Sequence, residues 1–418
     1  MRRNLSAVLV MLALPWAASQ QTPRTPQQGA GPGAARRTLS VALFPWLPDA
    51  GGDDFKAMKA RIKKEFESAN PDVLLNLEIT TAKDAYQPDT WAELFGPSGS
   101  NVVEVDSIVL GDLVKAGYIR PVPYDPADAF PEAQKAVRID GVVYAAPTWV
   151  CSTFIFSQDP AIATVKTVAD VIQILSKAPQ QRKTVADFLG SFTLPALYLK
   201  GYADMYGYAG LPAVLANAAT TTPDPKVIKP MHDLMDDCTA AGQNPCLDAT
   251  YHNDATGVAT AKDYAEGRSA SLIGYSERLH HVRKFGGAGR ARDYIAGAPF
   301  SEGNAPLIWV DGLVISAKNC GTLCQADAAA FGRYLNLTST RRWITFSDDA
   351  NGAPPRYLLP AQVAYYADAK VKADSSYSVF EGVISHGKAY PNQGYPAVRK
   401  ILTKKVCNAL KITVAKCD

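Results

Sequence analysis

The stretch APTWVCSTFIF at 145–155 sets one cysteine, Cys151, among apolar and aromatic neighbours. The other six cysteines fall into close pairs: Cys238 with Cys246, Cys320 with Cys324, and Cys407 with Cys417. In an oxidising compartment those pairs are expected to close as local disulfides, one of several connectivities that six cysteines allow. Cys151 is then left alone. A lone cysteine in a core commonly serves as a small hydrophobe. In an exported chain an unpaired thiol is a liability, and Cys151 reads instead as a nucleophile. As such it needs a neighbouring base or an electropositive setting.

Two kinds of base stand in GYSERLHH at 274–281, namely Glu277 and the histidines His280 and His281. A free glutamate, with a pKa of about 4.3 against about 8.5 for cysteine, is a poor base for a thiol. Burial in an apolar cleft raises the carboxylate and improves the match. The plainer use of Glu277 is an ion pair with Arg278. Other chemistries lack their residues. GYSER has no closing glycine for a nucleophile elbow, and no HExxH or zinc spacing occurs. GVISHGKA at 382–389 misses the hydroxyl that a phosphate loop uses to hold magnesium, because Ala389 stands there.

Export is read from the N-terminus. MRRNLSAVLVMLALPWAASQQ has two arginines, a short apolar run, and small residues at Ala17 and Ser19, as in a signal peptide cleaved after Ser19. Residues 20–37, rich in Gln, Pro and Gly, read as a disordered leader. The expected location is periplasmic or secreted. A net charge of +3 is too mild to imply nucleic acid or an anionic membrane as partner, and a monomer is expected. A chain of 418 residues that is 47% hydrophobic can bury two lobes.

The elements that must position these residues alternate. LSVAL, the helix pattern DDFKAMKARIKKEFES and VLLNLEI form a β-α-β opening, with Phe55, Met58, Ile62 and Phe66 on one helical face. NVVEVD ends a strand at Asp106, and LIWVDGLVIS is a further strong strand. The middle, about 160–285, is rich in helices. The alternation points to an α/β fold with mostly parallel sheets. Phe44, Trp46, Asp106, Cys151, Tyr275, Glu277 and Asp311 are all placed just after strands, where ligands bind in such folds. Each has a plainer use too: Phe44 and Trp46 in packing, Asp106 as a helix cap, Asp311 in a turn, and Tyr275 as a strand aromatic.

The order of these segments resembles the two-lobed type II periplasmic solute-binding fold. VVEVDSIVLGDLVKAGYIRPV and RIDGVVYAAPTWVCSTFIFS look like its first crossing between lobes, and YAEGRSASLIGY with PLIWVDGLVIS like its return. The resemblance implies one lobe from 38–145 plus about 288–345. The other would take about 146–287 plus about 346–418, with the active site in the cleft. PTWVCSTFIFS and EGRSASLIGYSERL are also similar to the thiaminase I family, thiamine pyridinylases built on this scaffold. That likeness implies Cys151 as nucleophile and Glu277 as its base. Phe44, Trp46 and Tyr275 would be walls for a flat cationic ring, and Asp106 and Asp311 partners of an aminopyrimidine. LFPWLP matches the family's aromatic-proline-aromatic segment, although tyrosines are more usual there. The implied reaction moves the pyrimidine-methyl group of thiamine to an amine or thiol acceptor, with no metal or cofactor. A solute-binding protein that takes up thiamine or another small solute without changing it is the alternative. A secreted thiol hydrolase using Cys151 with His280 or His281 is the third reading.

Overall fold

The computed structural model describes residues 35–79, 85–189, 193–252, 257–287, 292–412 and 417. The expected signal segment at 1–19, and the leader as far as residue 34, lie outside the described residues.

The described strands are, in chain order, β1 (Arg37–Leu43), β2 (Val73–Ile79), β3 (Val102–Asp106), β4 (Ile119–Arg120), β5 (Arg138–Ile139), β6 (Val142–Val143), β7 (Ala146–Cys151), β8 (Phe154–Ser157), β9 (Arg182–Val185), β10 (Ser269–Gly274), β11 (Tyr294–Gly297), β12 (Leu307–Ser316) and β13 (Lys388–Ala389). Seven of them build one sheet in the order β13-β12-β3-β1-β2, with β4 and β7 also paired to β12. Four build a second sheet in the order β11-β8-β10-β9. Helices pack around both, which gives the mixed α/β, two-lobed architecture expected.

The opening unit forms as its pattern predicts. Leu39, Val41 and Leu43 alternate into the core along β1, and the helix Lys56–Ala69 buries Met58, Ile62 and Phe66 against it. Phe55 precedes the helix in a left-handed conformation, φ 56°, and still packs, partly buried, against the same core. β1 then pairs in parallel with β2 and β3.

Elsewhere the expectation of mostly parallel sheets fails. β12 runs antiparallel to β3, β4 and β7, and β8 runs antiparallel to β10 and β11. The reason is that the chain changes sheet rather than winding along one. β7 ends at Cys151 in the first sheet and β8 begins at Phe154 in the second. The return leg leaves β11 at Gly297 and enters the first sheet as β12 from the opposite end. Strand direction is therefore set by the crossings, which local periodicity does not encode.

The return leg is tied down at its base. Asp204 is buried beside Lys200 at 2.5 Å and accepts the backbone N–H groups of Phe300 and Ala305, each at 2.7 Å. Disulfides join Cys238 to Cys246, Cys320 to Cys324 and Cys407 to Cys417, and Cys151 is the free cysteine. No described helix is long and apolar enough to cross a membrane.

Candidate active site

Strand alternation does most of the assembly. Glu104 and Asp106 share one face of β3 because successive side chains point to opposite sides. Asp311 of β12 stands directly opposite Asp106, and on its other side opposite Trp149 of β7. Trp309, two residues back, stands opposite Cys151. Residues opposite one another in a ladder share a face. Glu104, Asp106, Trp149, Cys151, Trp309 and Asp311 therefore converge on one side of the first sheet. The Cys151 Sγ lies 3.9 Å from Asp311 Oδ2. Asp311 is thus not a residue at a strand end or in a turn, as its neighbour Gly312 implied. It sits inside β12, at an irregularity in the pairing between Asp311 and Gly312.

Tyr275 and Glu277 come from the second sheet. They follow β10, at the start of the helix Arg278–Gly286. The Tyr275 ring meets Trp309 edge-on at 5.3 Å, and Trp309 stacks on Tyr390 at 4.5 Å. The Arg278 guanidinium lies 5.6 Å from the centre of the Tyr275 ring. Its place depends on two glycines. A Cβ at Gly257 would fall about 2 Å from Arg278 Nε, and one at Gly274 would fall 2.7 Å from its Cγ.

Phe44 and Trp46 occupy the loop after β1. They line a recess with Tyr86, Glu104 and Asp106. Tyr86 donates its hydroxyl to Asp106 Oδ2 at 3.3 Å, while Asp106 Oδ1 accepts the Ile108 N–H at 3.0 Å. Asp106 therefore does cap the turn after β3, and it faces the recess as well. A second recess is lined by Thr153, Asp187, Tyr275 and Arg278. Cys151 lines neither. One recess reaches Asp106 and the other Tyr275, both near enough to act on its thiol.

The electrostatics of this cluster are unusual. Burial pushes the Cys151 thiol well up, and the charges of Asp311, Glu277, Asp106 and Glu104 push it further. Burial also raises Asp311 well above the usual carboxylate range, helped by Asp106, Glu104 and Glu277 and opposed by the Cys151 contact. Asp106 is pushed by burial to about 7, against the pull of its Ile108, Tyr86 and Ser107 partners. Burial raises Glu277, with Arg278 opposing it. Four carboxylates crowded round a thiol cannot all ionise together, so protons are shared among them. A bound cation reverses the balance, since it favours every ionised form, the thiolate included.

The histidines do not join this arrangement. His280 and His281 are both buried. Burial lowers them to about 4 and about 3, so both are neutral. His280 Nδ1 lies 3.0 Å from the Pro354 carbonyl and donates to it. No hydrogen bond among the described residues links either histidine to Cys151.

A family model, the bacterial extracellular solute-binding proteins, matches residues 61–374. This chain belongs to that family. Among solved structures, thiaminase I from Clostridium botulinum, in complex with thiamin, is similar with a TM-score of 0.70 at 20% identity. The match covers 89% of this chain and 98% of that one. Thiaminase I from Bacillus thiaminolyticus gives 0.67 at 20% identity, covering 91% and 100%. The GacH receptor of Streptomyces glaucescens, described with acarbose, gives 0.63 at 16%, covering 91% and 95%. No curated protein matches the sequence significantly. The fold expected from the sequence resemblance is thus the one found.

Within this solute-binding architecture, sequence reasoning overlooked several residues of the cluster. Glu104 was legible in VVEVD, where it alternates with Asp106. Trp309 was legible in IWVD, two residues from Asp311. Tyr86, Trp149, Tyr390 and the buried Arg341 carry no local signal. They reach the site only through pairing and packing between distant segments.

Proposed function

We propose that this extracellular solute-binding protein is an exported thiaminase I. It would transfer the pyrimidine-methyl group of thiamine to an organic amine or thiol and release the thiazole. The observation that carries this reading is a free, largely buried cysteine set among four buried carboxylates and near aromatic rings. The carboxylates and rings suit a flat cation. The thiol is what a protein that only binds such a cation has no use for. The likeness in fold to thiaminases I supports the reading.

In this reading thiamine enters with its positive charge near the carboxylates and thereby lowers the thiol toward the thiolate. Glu277, whose carboxyl burial raises and so makes a better base, takes the proton of Cys151. Asp106 and Asp311 accept the exocyclic amine and protonate the aminopyrimidine. The thiolate adds to the pyrimidine ring. The bond from the methylene carbon to the thiazolium nitrogen breaks, and its electron pair leaves with a neutral thiazole. Glu277 releases that proton to solvent; the acceptor then adds to the methylene carbon, gives up its own proton to the freed Glu277 carboxylate, and expels the Cys151 sulfur. Phe44, Trp46 and Tyr275 serve as walls for the ring. Three disulfides and an N-terminal segment of signal-peptide type support export.

A second reading keeps the same ligand without chemistry. Family membership and the strongly raised thiol both favour a binding protein in which Cys151 stays protonated. Mass spectrometry of wild type and Cys151→Ser incubated with thiamine, with and without aniline, separates the two. Free thiazole with an aniline–pyrimidine adduct, absent in the variant, is the expected result. Intact thiamine in every sample, retained on the protein, would leave the binding protein standing.

A further inference from the structure

Two recesses flank the thiol, and the chemistry above accounts for one of them. The recess of Phe44, Trp46 and Asp106 has Glu78 and Glu104 in its wall and, among the described residues, no cationic side chain. The second recess is of another kind. It holds about 430 Å³ of free space, its mouth included, which is at the small end for a ligand pocket. Phe188, Leu197 and Ile273 supply an apolar lining, all buried. Its ionic groups are one carboxylate, the half-buried Asp187, and one guanidinium, Arg278.

Arg278 is held in place. It is buried, its guanidinium stands over the Tyr275 ring, and Gly257 and Gly274 leave the space that its side chain fills. The recess also reaches the reacting group. Thr153, two residues on from Cys151, lines it. Tyr275 lines it too and meets Trp309, which stands opposite Cys151.

A transfer between two organic molecules calls for two places beside one nucleophile. A cationic ring suits the recess walled by carboxylates and is disfavoured beside a guanidinium. The planar fork of a buried arginine instead matches a carboxylate. We propose that the recess of Phe188, Leu197, Tyr275 and Arg278 binds the acceptor, and that Arg278 selects aromatic amines carrying an acid group. The transfer rests on the thiamine reading, while the binding of an aromatic acid does not. In the transfer the amine nitrogen forms a bond to the methylene carbon and its proton passes to the Glu277 carboxylate. The bond between the pyrimidine ring and the Cys151 sulfur breaks, and its electron pair leaves on sulfur.

The test compares kcat/KM for 3-aminobenzoate with that for aniline, in wild type and in Arg278→Gln. Taking the ratio cancels the different nucleophilicities of the two amines and any effect of Arg278 on the neighbouring Glu277. The ratio should fall about tenfold or more in the variant, while the KM for thiamine stays within a few-fold. Gly274→Ala crowds the Arg278 side chain and keeps its charge. It should lower the ratio as well, and answers independently if Arg278→Gln does not fold. A ratio unchanged in the folded variants would overturn the proposal and leave Arg278 as a group that acts on Glu277 alone. Benzoate provides a readout without turnover. In ligand-observed NMR, with no thiamine present, it should bind wild type and bind Arg278→Gln about tenfold more weakly. Benzoate that binds both proteins alike, or neither, would also overturn the proposal. Benzoate binding that depends on Arg278, in a protein that leaves thiamine intact, supports the acid-binding recess and overturns the thiamine reading alone.

Discussion

Replacing Asp106 by asparagine should make the protein more stable while it damages the site, and the gain should depend on pH. Burial raises the Asp106 carboxyl from an ordinary 3.8 to about 7, while its unfolded-state value stays near 3.8. A group raised in this way contributes stability fully below pH 3.8, and that contribution is lost as the pH climbs to about 7. At 1.36 kcal/mol per pH unit the whole loss is roughly 4 kcal/mol. Asp311 faces Asp106 across the ladder and shares its titration, so the gain expected from removing one carboxylate is about 2–4 kcal/mol. Asparagine still offers an oxygen to the Ile108 N–H, so the cap survives. Urea unfolding of wild type and Asp106→Asn, followed by tryptophan fluorescence at pH 4, 6 and 8, gives the answer. The curves should nearly coincide at pH 4 and separate in favour of the variant by pH 8. A difference that is the same at all three pH values would refute the reasoning, because a lost contact has no such pH dependence. Thiamine turnover by the variant should fall about a hundredfold or more.

Three further outcomes are expected. Glu277→Gln should lower turnover by about 10²–10⁴-fold while thiamine affinity by calorimetry stays within a few-fold, as befits a base rather than a binding group. His280→Phe should keep most of the activity and lose only about 1 kcal/mol, because His280 binds a backbone carbonyl and not Cys151; the opposite ranking would revive the thiol hydrolase. Lys200→Met should cost about 3–5 kcal/mol in urea unfolding, since it strands a buried Asp204. A loss below about 1 kcal/mol would mean that the N–H groups of Phe300 and Ala305 suffice to hold that carboxylate.

What could be read beforehand follows the range of the interaction that fixed it. Met58, Ile62 and Phe66 are spaced to share one helical face, and that spacing alone declared their burial. The three cysteine pairs lie within a few residues of one another, so proximity named the partners. Asp106 and Asp311 were found as acidic residues near strands, yet nothing local revealed that they face each other. Their meeting is a matter of register between strands some two hundred residues apart. The same limit hid Arg341, whose helix gives no sign that its guanidinium covers Trp149. Strand direction in both sheets was lost for a related reason, since it is decided where the chain crosses between them.

The disulfides bridge separations of only 8, 4 and 10 residues. Each staples a local turn or a helix end, and none connects a strand of one sheet to a strand of the other. Among the described residues the covalent tether across the cleft is then the main chain, which passes at Ser152–Thr153, again through 298–306, and once more after β12, where the helix Ser375–Ile384 packs back on β11. Oxidation fastens local segments, five of the six bonded cysteines being buried, and leaves the jaws unlocked. Any closing of the two halves on a guest is opposed by packing and hydrogen bonds, not by a disulfide.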